Sequence, residues 1–170
     1  MIAFFVSSTG DTHLAKATIS NILKRDAAIN ILLIPVTQTA ARIISDLAGT
    51  ERIVHSTLAD ILNRETALSE KQISQEDLEK IANLMSQFSI DRAFIGMPSP
   101  NDEEIPFQIA NYLSTLDIAV TIANEFMFSP PQEHPLHKYL DRGELSGCRF
   151  AVSLQAAAGG PQLSGRCENK

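Results

Sequence analysis

Apolar positions along this chain follow two rhythms. Ile2, Ala3, Phe4, Phe5 and Val6 form an unbroken apolar run, and Ile29, Ile31, Leu32, Leu33 and Ile34 form another around Asn30. Short continuous runs suit strands that are covered on both faces of a parallel sheet. Between them Ala15, Ile19, Ile22 and Leu23 recur at helical spacing. That spacing predicts a helix running to about Arg25, with Asp11 or Thr12 capping its first turn. Strand, helix and strand make one βαβ unit.

The alternation continues. Thr37 is placed to cap a second amphipathic segment with Ala40, Ile43, Ile44 and Leu47 on one face, ended by Gly49. Arg52, Ile53, Val54 and His55 predict a short third strand. Residues 58–88 are more polar, and Ser74, Gln75, Glu76 and Asp77 resemble a capping box ahead of the stripe Leu78, Ile81, Met85 and Phe88. A helix is expected there. Ala93, Phe94, Ile95 and Gly96 read as a fourth, buried strand. Ile105, Ile109, Leu113 and Leu116 mark a helix whose first turn accommodates Pro106. Residues 118–123 predict a fifth strand, and Phe150, Ala151 and Val152 a sixth.

This order predicts an α/β fold: a doubly wound, mainly parallel sheet of five or six strands with helices on both faces, Rossmann-like or flavodoxin-like. Right-handed crossovers put the first strand in the centre and reverse the strand order between the first and the fourth. A crevice is expected at that reversal, bringing residues 8–13 opposite residues 98–102, with Asn124 and Glu125 nearby. Residues 1–154 read as a single domain and residues 155–170, rich in Ala, Gly and Ser, as a flexible tail or a truncated continuation. Residues 128–147, with prolines and charges, read as an ordered loop or short-helix excursion over one sheet end.

Composition narrows the partners more than the fold. Of 170 residues 44% are hydrophobic and 20% charged, which suits a globular domain with a full core. The net charge of -6 comes with no Lys/Arg cluster, which argues against a nucleic-acid surface and a polybasic membrane contact. The first apolar run has no basic region before it and is too short for a signal peptide or membrane span. Cys148 and Cys167 are too few for a disulfide framework and lack zinc spacing, which points to a reducing, cytoplasmic setting. A small-molecule ligand, or a second domain or protein partner, remains.

The candidate chemistry gathers at the end of the first strand. Ser7, Ser8, Thr9, Gly10, Asp11 and Thr12 form a small, hydroxyl-rich turn opening a helix, where unpaired N–H groups and the positive dipole end can hold a ligand. The plain alternative is a capped strand-to-helix turn. Ser8, Thr9, Gly10 and Thr12 are the ligand-binding candidates. Asp11 would repel a phosphate at that position by roughly 1 kcal/mol or more, and so suits orienting a sugar hydroxyl or a base. His13, in the first helical turn, is the general-base candidate. Across the crevice Ser99 and Asn101, between Pro98 and Pro100, could donate or accept hydrogen bonds, as could Asn124. Glu125 could bind ribose hydroxyls or act as a base. Glu133, His134 and His137 are not expected to hold a metal, because Pro135 breaks helical spacing and a third strong ligand is lacking. Cys148 has no paired histidine, so a packed or surface thiol is expected. The chain carries neither a Walker A lysine nor G-x-G-x-x-G, which argues against a P-loop nucleotidase and an ordinary NAD site.

Two resemblances follow from these letters. Ser8, Thr9, Gly10, Asp11, Thr12 and His13, with Ala15, Ala17, Ile19 and Leu23 behind them, resemble the start of GT-B glycosyltransferases, and residues 90–126 look like a later unit of the same N-terminal domain. The likeness implies an acceptor-side half domain that binds a sugar- or nucleotide-bearing ligand at the C-terminal ends of the strands and needs a second domain or partner for glycosyl transfer. No cofactor is implied. Residues 7–12 are also similar to the phosphate loop of flavodoxins, which would imply an FMN-binding electron-transfer domain. A third reading, a non-catalytic Rossmann-like interaction or regulatory module, stays open because fold does not dictate function.

Overall fold

The structure, a computed structural model, describes residues 1–47, 49–62, 73–96, 105–124 and 147–152. Six strands, β1 (Ile2–Val6), β2 (Ile31–Pro35), β3 (Ile53–His55), β4 (Arg92–Gly96), β5 (Ala119–Asn124) and β6 (Arg149–Val152), form one sheet in the order β3-β2-β1-β4-β5-β6. Every neighbouring pair is parallel. Parallel neighbours require crossover connections, and helices occupy the first four of them: α1 (Thr9–Arg25) after β1, α2 (Gln38–Ile43) after β2, α3 (Leu58–Leu62) and α4 (Gln75–Gln87) after β3, and α5 (Ile105–Ser114) after β4.

The change of direction at β1 sorts the helices into layers. Running from β1 to β3, right-handed connections place α1 and α2 on one face; running from β4 to β5 in the opposite direction places α5 on the other. The two cores record this. Ile2, Phe4, Val6, Ile31 and Leu33 pack with Ala15 and Ile19 of α1 and with Ala40 and Ile44. Ala3, Phe5, Leu32, Ile34, Ala93, Ile95, Val120 and Ile122 pack with Leu58, Ile81, Met85, Ile109 and Leu113. Alternate residues of one strand thus enter different cores, which is why β1 and β2 lack any polar alternation. Phe4 and Phe94 stack across the β1–β4 pair with ring centroids 4.8 Å apart.

Polar contacts tie α1 to the layer around it. The Arg52 guanidinium donates to the Leu23 and Asp26 carbonyl oxygens, both at 2.6 Å, which places a cation on the negative end of the helix. Lys16 pairs with Asp46 in the short 3-10 turn that follows α2. At the end of α4 the Ile90 amide donates to the Met85 carbonyl and the Ser89 amide to the Ser86 carbonyl, while Ile90 and Met85 lie in the same core. This is a Schellman ending, and it holds Ser89 in the left-handed region with φ 50°.

Several expected boundaries move. The second amphipathic segment divides into α2, a C-cap at Ile44 and the Ser45–Leu47 turn, while Gly49 adopts φ 91° beyond it. The helical stretch expected over residues 58–88 contains α3 and α4, with residues 63–72 outside the described set. The excursion at 128–147, apart from Gly147, and the tail at 155–170 also lie outside it. Among the described residues no helix is long and apolar enough to cross a membrane.

Two substitutions test this packing. Ile19→Ala, at a fully buried site between α1 and the sheet, is expected to lower unfolding stability by about 2–5 kcal/mol in urea titrations. Ser89→Gly is expected to raise it by up to about 1 kcal/mol, since glycine takes the left-handed position without a Cβ penalty.

Candidate functional site

The reversal of strand order leaves the C-terminal ends of β1 and β4 side by side with crossovers departing to opposite faces, the place where α/β sheets open a crevice. β1 ends at Val6, and the chain turns through Ser7 and Ser8 into α1. Ser8, not Asp11 or Thr12, is the N-cap: its backbone is extended, and its hydroxyl oxygen accepts the Asp11 amide at 3.3 Å. The helix therefore begins earlier than the hydroxyl-rich letters suggest, and Thr9, Gly10, Asp11 and Thr12 already belong to its first turns. Helix geometry leaves the Thr9 and Gly10 amides without an intrahelical carbonyl, and no described residue supplies one. Thr9 is exposed, and Ser8 and Gly10 are half-buried.

Asp11 lies beneath this turn, only 2% exposed. Its Oδ2 accepts the Ser7 amide at 3.0 Å and the Ser7 hydroxyl at 3.1 Å, and the Thr12 hydroxyl lies 3.2 Å from its Oδ1. The side chain thus locks the β1–α1 turn from below, with its Oδ2 taken by the Ser7 amide and hydroxyl. Burial pushes the Asp11 carboxyl above its ordinary value by penalising the charged form, while the Ser7 amide and the hydroxyls of Ser7, Ser8 and Thr12 pull in the opposite direction. Asp11 also reaches the end of β4. A Cβ added at Gly96 would overlap the carboxylate and come within 2.8 Å of the Asp11 Cβ, so the last residue of β4 must be glycine for the acid to fit.

A third strand end joins the same turn. The Thr37 hydroxyl caps α2 by accepting the Ala40 amide at 3.1 Å and donates its proton to the Ser7 carbonyl at 2.6 Å. Thr12 is fully buried, and its hydroxyl donates to the Ser8 carbonyl, so it shapes the turn from inside rather than facing a ligand. His13 is exposed on α1 one residue beyond it. Asn124 closes β5. Ser99, Asn101 and Glu125 lie outside the described residues, as do Glu133, His134 and His137. The structure therefore brings Asp11 against the end of β4, while the opposing turn expected at residues 98–102 is outside the description.

Among the described residues no group of three or more His, Cys, Asp and Glu side chains could hold a metal ion. Cys148 is half-buried with its sulfur 3.7 Å from the Ala110 carbonyl, and burial pushes its thiol up, away from the reactive thiolate. The letters mark Ser7 only as part of the hydroxyl-rich turn, and give Thr37 and Gly96 no place at the site. Thr37 is recognisable as a helix cap, but its second bond, to Ser7, arises from the pairing of β1 with β2. No protein-family model, curated protein or solved structure matches the chain.

The lock makes two measurable predictions. An acid more readily protonated when folded than when unfolded removes stability as pH rises through the interval between its two values, which here starts at the ordinary carboxylate value of 3.8. Asp11→Asn should therefore gain on the wild type as denaturant titrations move from about pH 3 to about pH 7; a constant difference would show that the folded carboxyl does not lie above its ordinary value. Gly96→Ala should destabilise by about 1–3 kcal/mol, and by clearly less in an Asp11→Ala background, since the two side chains contend for one volume.

Proposed function

We propose that the chain is a glycosyltransferase-like acceptor-side half domain, holding a sugar- or nucleotide-bearing ligand at the C-terminal ends of β1 and β4. Ser8, Thr9 and Gly10 supply the turn against which the ligand lies, with Ser99, Asn101 and Asn124 assigned to the opposite side. His13 is the general base in this reading, and Glu125 a partner for ribose or sugar hydroxyls. A second domain or partner brings the donor for transfer.

The observation that carries the reading is the buried Asp11 carboxylate inside the first turn of α1. The Ser7 amide and hydroxyl, both donating to its Oδ2, suit the ionised form, and in that form it already answers the positive end of the helix. A phosphate placed against Thr9 and Gly10 would meet this charge at a cost of roughly 1 kcal/mol or more, whereas uncharged sugar hydroxyls would not. The loop suits the hydroxyl-bearing part of a ligand better than its phosphate.

The strand order supports the same choice. Flavodoxin-like sheets place the first strand beside the third, while here β1 lies between β2 and β4, with β3 at the sheet edge. Both features count against FMN at this turn. The interaction-module reading shares the fold and differs in needing no small ligand.

Thermal-shift measurements with nucleotide sugars, simple glycosides, nucleotides and FMN separate these readings. A ligand at 100 times its dissociation constant stabilises by about 2.7 kcal/mol, so sugar-bearing compounds are expected to raise the melting temperature clearly. Gly10→Val is expected to abolish that rise while leaving the unliganded protein folded. Flavin absorbance in the purified protein, or a shift with FMN alone, would overturn the proposal in favour of electron transfer. No shift with any compound would leave the interaction module.

A further inference from the structure

We draw no further inference here: the strongest candidate, the face of β4 and β5 that carries Arg92, Phe94 and Thr121 beyond the helices α1 and α2, is left without a described helix over it, and nothing in the structure shows what covers it.

Discussion

Strand β1 is constrained on four sides, and the rest of the molecule is arranged around that fact. It pairs in register with β2 on one edge and β4 on the other, from Ile2 opposite both Ile31 and Arg92. Its two faces contribute to separate cores, Phe4 to one and Phe5 to the other. A strand so enclosed has no polar surface to spare along its length, and its first solvated groups appear only where it leaves the sheet. Because the chain departs from β1 toward β2 and later returns on the opposite edge as β4, the crossovers must lie on opposite faces. The ends of β1 and β4 are left between them.

What happens at that end is decided by charge and volume together. A carboxylate buried at the C-terminal end of the central strands is tolerable only when donors meet it, and the turn supplies the Ser7 amide and the Ser7 hydroxyl. Room for it exists because Gly96 has no side chain. The acid therefore belongs to the frame of the turn. This separates two roles that the letters merge: Asp11 and Thr12 hold the turn in shape, while Ser8, Thr9 and Gly10 form its outer surface.

The starts of α1, α3 and α4 use one device. Ser8 with Asp11, Thr57 with Asp60 and Ser74 with Asp77 each join a hydroxyl to an acid three residues later. In the second pair the Thr57 amide donates back to Asp60 at 3.3 Å, whereas at the first helix Asp11 bypasses its cap and takes the Ser7 amide instead. The Ser74 cap is legible because one hydroxyl precedes a clear apolar stripe. The Ser8 cap is not, because Ser7, Ser8, Thr9, Asp11 and Thr12 are all capable of capping, and the choice depends on where β1 stops pairing. Val6 is opposite Pro35 and is the last paired residue, which leaves Ser7 as the link and Ser8 as the cap.

Local chemistry in the sequence determined the element types and their succession, the two-sided burial of β1 and β2, and the presence of a small polar turn after the first strand. Those are written in spacing and hydropathy, which act over a few residues. The consequences of neighbours distant along the chain required the tertiary structure. Gly96 makes room for a carboxylate 85 positions earlier (96 − 11), and the Thr37 hydroxyl closes on the Ser7 carbonyl 30 positions away, because strand pairing alone brings them together. No local pattern encodes such distances, so the turn's existence could be read from the letters while its internal lock could not.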